Sequence, residues 1–266
     1  MRKVFVIAAA VLALASCNPD RGKVAIVAHR GFWNCEAAGF TENSIASLKA
    51  AQDNGFWGSE FDVHLTADNE VVVNHDPKIQ GIRIKGATLD SLKQLTLKNG
   101  EHPSSLDEYL TQGEKCSTTM LVLEMKDTHD TLRCETLVQK CLAALKAHDL
   151  YKPERVMFIS FCPYICDRIA QLAPEFTNQY LSSDTAPAQL LERGINGIDY
   201  HGGSLREHPE WIAEANELGM SVNVWTINKA EEMSEFIEAG VGAITTNEPL
   251  TTRQLLGKKE LRIKAK

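Results

Sequence analysis

Residues 219–246 read GMSVNVWTINKAEEMSEFIEAGVGAITT. Ser221–Ile227 is a short run rich in β-branched residues, a strand by length and composition. Ala230–Ala239 has helical spacing, Gly240 stops it, and Val241–Thr245 begins another strand. The same order recurs upstream. Ile195–Tyr200 is followed by a helix over Pro209–Leu218 and the stop Gly219. Thr177–Leu181 is followed by a short helix over Pro187–Glu192 and the stop Gly194. Arg155–Phe161 precedes a helix over Pro163–Leu172, and Met120–Met125 precedes a long amphipathic helix over Thr131–His148. Regular strand–helix alternation means parallel strands joined by helical crossovers.

Closer to the N-terminus the alternation loosens. Lys23–Ala28 and Trp57–Leu65 read as strands around a helix over Glu42–Asn54, with Thr41 as its N-cap and Gly55 as its stop. Glu70–Asn74 is a further strand candidate. Thr66–Asn69, the link before it, has turn character and no room for a helix. Lys78–Gly113 is irregular, with weak helical segments at Leu89–Leu95 and Ser105–Leu110.

A doubly wound sheet and a closed barrel both fit such alternation. Polar residues decide between them. His29, Asp62, His75, Lys126, Asn228 and Asn247 follow the C-terminal ends of several different strands, as on the active face of a barrel. A doubly wound sheet concentrates its site at one switch point, and the chain has no G-x-G-x-x-G or P-loop. The expected fold is α/β, a single-domain (β/α)8 TIM barrel. Nine strand candidates compete for eight places, and Thr177–Leu181 is the one expected to lie outside.

The first sixteen residues are not part of that fold. Arg2 and Lys3 precede the apolar run Val4–Leu14, too short to span a bilayer and typical of a secretory leader. Leu14-Ala15-Ser16-Cys17 resembles a lipobox, which implies cleavage before Cys17 and lipid on its sulfur. The expected organisation is a leader over residues 1–16, a tether over 17–22, the barrel over 23–257 and a basic, solvated tail over 258–266. The expected location is the bacterial envelope, as a lipoprotein on the periplasmic or cell-surface side. Losing Arg2 and Lys3 with the leader takes the net charge from −7 to −9. That balance argues against nucleic acid as a partner and leaves the lipid as the contact with membrane. Six further cysteines, Cys35, Cys116, Cys134, Cys141, Cys162 and Cys166, are buried apolar residues or disulfides, and none shows a Cys-x-x-Cys zinc spacing.

Chemistry gathers between Val27 and Asp76, with one further piece at Glu124-Met125-Lys126. Glu60 and Asp62 are two apart on a strand, so both point to one face, and Glu124 and Lys126 repeat the arrangement on another strand. Phe61, Val63, Leu123 and Met125 mark the opposite, apolar face. Three carboxylates converging inside a barrel repel one another unless a cation sits among them, and oxygen donors suit Mg²⁺ or Ca²⁺. His29 and His75 read as a general acid and a general base near neutral pH. Arg30 and Lys126 supply positive charge for phosphate oxygens. A bland alternative for Arg30 is a salt bridge to Glu42 or Asp76.

Together, His29-Arg30-Gly31, Glu42-Asn43-Ser44, Glu60-Phe61-Asp62-Val63, Thr66-Ala67-Asp68, His75-Asp76, Glu124-Met125-Lys126, Ser160-Phe161, Trp225-Thr226-Ile227-Asn228 and Thr245-Thr246-Asn247-Glu248-Pro249 resemble the ordered motifs of the glycerophosphodiester phosphodiesterase family. The resemblance implies a (β/α)8 barrel and a divalent metal, Ca²⁺ or Mg²⁺, held by Glu60, Asp62 and Glu124. It implies His29 and His75 as the acid–base pair, Arg30 and Lys126 on the phosphate, and Trp225 and Phe161 lining the pocket. The implied reaction hydrolyses a glycerophosphodiester to glycerol 3-phosphate and an alcohol. In it the glycerol 2-hydroxyl attacks phosphorus and water opens the cyclic product. Two departures bear on specificity: the loop Phe32–Thr41 is longer than the common form, and Pro77–Met120 is shorter than the usual inserted subdomain. The competing readings are a phospholipase of the related barrel superfamily, cleaving phosphatidylinositol or sphingomyelin, and a lipoprotein that binds phosphodiesters without turnover.

Overall fold

The computed structural model describes residues 23–263. The expected leader, the expected lipidation residue Cys17 and the expected tether lie outside the described residues. Eight strands form one ring: β1 Ala25–Ala28, β2 Gly58–Leu65, β3 Met120–Met125, β4 Val156–Ser160, β5 Asn178–Tyr180, β6 Gly197–His201, β7 Ser221–Trp225 and β8 Ala243–Thr246. Each is parallel to its neighbours. β1 pairs on one side with β8 (Val27 opposite Thr245) and on the other with β2 (Val27 opposite Gly58), which closes the barrel. The expected (β/α)8 architecture is the observed one.

Period-two alternation sorts each strand into an inner and an outer face. Val27, Val122, Met157, Ile159 and Leu181 pack together inside the ring. Ile26, Ile198, Tyr200, Val222, Val224 and Ile244 face helices on one flank. Phe61, Val63, Leu121, Leu123 and Phe158 face helices on the other. This is why Glu60 and Asp62 point inward: their neighbours Phe61 and Val63 are held outside by the helix layer.

Thr177–Leu181 was expected outside the ring. Its centre, Asn178–Tyr180, is in fact β5, paired to β4 and β6. Of the nine strand candidates, the one outside the ring is Val71–Val73, which runs antiparallel to the end of β2, with Val63 opposite Val73 and Leu65 opposite Val71. The five-residue link before it turns through Asn69 at φ +60°, far too short for a parallel crossover. The chain therefore doubles back to the barrel mouth and delivers His75 there.

Other boundaries also differ from expectation. The first helix spans Ile45–Asp53, and its N-cap is Ser44, which accepts from the Ser47 N–H, rather than Thr41. The reason is Asn43, held at φ +52° with its side chain committed to Asp62. Within Lys78–Gly113 a two-residue hairpin pairs Lys78–Ile79 with Ile82–Arg83 through Gln80 and Gly81, both at positive φ. Helices follow at Leu89–Leu92 and Leu106–Gly113. The start of the expected solvated tail is docked: Val24 N–H donates to Lys259 C=O, and Leu261 N–H donates to Val24 C=O. Glu260 is buried there in ion pairs with Arg253 and Arg262, each at 2.8 Å. All six described cysteines carry free thiols.

Candidate active site

The turn after β1 is built around Glu60. Arg30 N–H donates to Glu60 Oε2 at 2.7 Å, and Gly31 N–H donates to Glu60 C=O at 2.9 Å. Arg30 and Gly31 take φ values of +57° and +78° to make those contacts. A Cβ at Gly31 would lie 2.3 Å from Ser47 Oγ, so this position requires glycine on both conformational and steric grounds. The result fixes His29 and Arg30 over the mouth of the barrel.

His29 Nδ1 lies 2.9 Å from Asn247 Oδ1. The same oxygen is 3.1 Å from Trp33 Nε1, and an indole nitrogen only donates. The Asn247 atom must therefore be an acceptor, so His29 donates from Nδ1 and its Nε2 carries the lone pair. Burial, reinforced by the Arg30 charge, lowers the His29 pKa to about 4. At neutral pH it is an uncharged base with a free nitrogen. His75, one-third exposed, is oriented by its own neighbour, with Nδ1 2.8 Å from Asp76 Oδ1.

Glu60 and Asp62 on β2 and Glu124 on β3 are all buried. Each offers an oxygen within 4.8 Å of the others. Lys126 Nζ sits between two of them, 2.6 Å from both Asp62 Oδ1 and Glu124 Oε1. Arg30 Nε is 3.9 Å from Asp62 Oδ2, while Arg30 Nη1 pairs with Glu42 at 2.8 Å. The salt bridge to Glu42 thus exists, and it leaves the rest of the guanidinium facing the cluster. Asn43 completes the set, donating to Asp62 Oδ2 at 2.7 Å and accepting from the Asp62 N–H at 3.0 Å.

Electrostatics divides the three carboxyls. Burial would raise Asp62, but the charge and hydrogen bonds of Lys126, with that of Asn43, hold it down to about 2. Burial and the adjacent Asp62 charge push Glu124 up to about 8 and drive Glu60 well above the usual carboxylate range. Glu60 Oε1 is buried without a hydrogen-bond partner, a costly state for an acceptor. Two groups that resist ionising and one orphaned oxygen, all aimed at one point, fit a hard divalent cation. Nothing in the donor set suits a softer metal, because every candidate ligand is oxygen.

His29, Arg30, Glu60, His75, Glu124, Lys126, Phe161 and Trp225 line one pocket of about 220 Å³, and Asp62 lies behind Lys126. The structure therefore brings together every site residue expected from the sequence other than Cys17. Phe161 and Trp225 form a T-shaped pair at 5.5 Å, and Trp225 Nε1–H is fixed by Asp199 C=O at 2.9 Å. Three residues were missed at the sequence level. Asn43 and Asn247 position Asp62 and His29, and their motifs were visible without their roles. Asp199 is a buried carboxyl in the pocket wall, pushed up to about 8 by burial, so the wall adds little negative charge opposite the carboxylate cluster.

A model of the glycerophosphoryl diester phosphodiesterase family matches residues 29–251. A glycerophosphodiester phosphodiesterase of Caldanaerobacter subterraneus is 28% identical over 255 residues, spanning 89% of this chain and 99% of the relative. The crystal structure of a glycerophosphodiester phosphodiesterase from Parabacteroides distasonis matches with a TM-score of 0.86 at 39% identity, covering 89% of this chain and 98% of that one. The fold is also that of an Oleispira antarctica phosphodiesterase solved with the product sn-glycerol-3-phosphate, with a TM-score of 0.76 at 23% identity, covering 88% of this chain and 97% of that one. A closed barrel in this company is a phosphoric diester hydrolase. The chain belongs to the glycerophosphodiester phosphodiesterase family, whose members depend on a divalent cation.

Proposed function

We propose that the protein hydrolyses glycerophosphodiesters to glycerol 3-phosphate and an alcohol, with His29 as base, His75 as acid and a divalent cation, Ca²⁺ or Mg²⁺, at Glu60, Asp62 and Glu124. The observation that carries this reading is the pairing of an uncharged His29, its Nε2 free, with the carboxylate cluster in one pocket. The product complex of the Oleispira protein supports the substrate class.

His29 Nε2 accepts the proton of the attacking glycerol 2-hydroxyl as its oxygen bonds to phosphorus. The bond from phosphorus to the head-group oxygen breaks, and His75 supplies the proton that oxygen needs to leave as an alcohol. The roles then reverse: His75 takes a proton from water as it attacks the cyclic diester, and His29 returns one to the 2-oxygen. Arg30 and Lys126 sit where they offset charge building on the phosphoryl oxygens. A bound cation would supply further neutralisation and hold the diester. Phe161 and Trp225 exclude water from one wall.

The test is hydrolysis of glycerophosphocholine, glycerophosphoethanolamine, glycerophosphoglycerol and glycerophosphoinositol with Ca²⁺, Mg²⁺ or EDTA. Glycerol 3-phosphate should appear with metal and vanish with EDTA. His29→Ala should lower kcat by about 10²–10⁴-fold, the usual worth of general acid–base catalysis, and Glu60→Ala should abolish metal dependence together with activity. Full activity in EDTA would overturn the metal assignment and favour the phospholipase reading. We also propose export and lipid anchoring through Cys17, on the strength of the apolar run and the Leu14-Ala15-Ser16-Cys17 motif. Radiolabelled palmitate should enter the wild-type protein and not Cys17→Ala.

A further inference from the structure

We propose that Asp127, Cys134 and Cys162 form a second metal site, selective for a thiophilic divalent cation such as Zn²⁺, on the rim of the barrel beside the catalytic pocket. Asp127 directly follows Lys126 at the end of β3. Cys134 lies in the first turn of the helix Thr131–Ala147, and Cys162 is the N-cap of the helix Pro163–Leu172 that follows β4. Twenty-seven residues lie between the two cysteines, and no spacing motif links them. The fold nonetheless brings one carboxylate oxygen and both sulfurs within 4.8 Å of one another.

That separation is close to what one ion demands. Zinc bonds sulfur at about 2.3 Å and carboxylate oxygen at about 2.0–2.2 Å, which puts tetrahedral ligands roughly 3.5–3.8 Å apart, so these atoms need approach by at most about 1 Å. Cys134 Sγ already lies 3.5 Å from Asp127 Oδ1 and 3.1 Å from Thr128 Oγ1. Both cysteines are buried, Cys162 as the N-cap of its helix and Cys134 in the first turn of its own. Asp127 is oriented from outside the cluster: the His129 N–H donates to its Oδ1 at 2.7 Å, and the His129 ring Nδ1 lies 3.1 Å from its Oδ2. A carboxylate steadied by a neighbouring histidine is the outer-shell support that metal ligands commonly have.

The ligand chemistry separates this site from the catalytic one. Two sulfurs select a borderline or soft ion, whereas Glu60, Asp62 and Glu124 present only oxygen to a hard one. Asp127 also borders a second cavity together with Thr128, His129 and Arg133. Cys162 N–H donates to Ser160 Oγ, and Ser160 Oγ–H donates to Met125 C=O. An ion here would therefore tie two helix starts to the strand end that carries Lys126.

The test uses the full chain, reduced and stripped of metal, titrated with Co²⁺ in excess Mg²⁺ to occupy the oxygen site. Sulfur-to-cobalt charge-transfer absorption should develop, saturate at one equivalent and be displaced by Zn²⁺. It should persist in Glu60→Gln and Cys116→Ser and be lost in Cys134→Ser and Cys162→Ser. His129→Ala should weaken Co²⁺ affinity by about tenfold, the low end for an outer-shell partner. Absence of the band in the reduced wild-type protein would overturn the proposal whether or not the variants fold. So would a band that survives both serine variants, or a Cys134–Cys162 disulfide in protein purified without reductant. None of these readouts depends on phosphodiester turnover.

Discussion

Replacing Asp199 with Asn should stabilise the protein, and by an amount that grows with pH. Asp199 is fully buried in the pocket wall, its Oδ1 has no hydrogen-bond partner, and burial raises its pKa from 3.8 to about 8, opposed by a hydrogen bond from Asn223. Among the described residues, no basic side chain offsets that burial. In the unfolded chain the carboxyl ionises freely near 3.8, while in the folded protein it stays protonated up to about 8. Below the lower value both states hold the proton and the residue is neutral with respect to pH. Between the two values the unfolded state sheds its proton and the folded state cannot, so stability falls with rising pH. Above the higher value both are ionised and the loss levels off.

Each pH unit in that window costs about 1.4 kcal/mol. From pH 5 to pH 8 the wild-type protein should lose about 4 kcal/mol through this group alone. Asparagine has nearly the same shape and does not titrate, so the variant escapes the loss. For a chain of this size about 1 kcal/mol corresponds to about 2–4 °C in Tm, and the Tm advantage of Asp199→Asn should widen by roughly 10 °C across that range. Thermal melts of both proteins at pH 5, 6, 7 and 8, in matched EDTA buffers, give the difference directly. Other titrating groups cancel because they are common to both. A Tm difference that does not change with pH would refute the reasoning, and a wild type more stable than the variant at pH 8 would show that Asp199 is ionised and paired.

Three further outcomes follow from the site. Lys126→Met removes the ammonium between Asp62 and Glu124 and should cost about 3–5 kcal/mol without metal, as breaking a buried ion pair does. Added Mg²⁺ should recover part of that loss in a thermal melt, and equal Tm values for variant and wild type in EDTA would show that Lys126 does not neutralise the cluster. The His29 ring should titrate by NMR with a midpoint near 4 rather than at the ordinary 6.5. Arg30→Met should move that midpoint upward, since burial and the Arg30 charge both lower it. Gly31→Ala places a Cβ 2.3 Å from Ser47 Oγ at φ +78° and should cost about 2–3 kcal/mol by the combined strain and overpacking. Because the same turn aims His29 and Arg30, the folded fraction of that variant should also turn over substrate more slowly.

How much of this was legible in the chain depends on whether the physics is local. Alternation along β2 places Phe61 against helices and Glu60 and Asp62 inside, and that pattern is visible within five residues. The ring itself follows from repeated strand–helix–glycine order. The misplaced strand is more instructive. Val71–Val73 and Asn178–Tyr180 compete for one place, and composition favours the wrong one: three valines look more like a barrel strand than Asn-Gln-Tyr. The connection decides the matter. Thr66–Asn69 cannot hold a crossover helix, so Val71–Val73 has to return antiparallel, and the polar β5 strand takes the vacant position. Connection length therefore outranks strand composition when a parallel ring is being assigned. No such local rule reaches Asn247, which fixes the His29 tautomer from 218 residues away, or Glu260, hidden in a basic run yet buried between two arginines. Their roles exist only because the ring closes, which brings β8 and the C-terminal segment beside β1. The chemistry of the site was readable from its ligands; the orientation of those ligands belongs to contacts that the closed barrel creates.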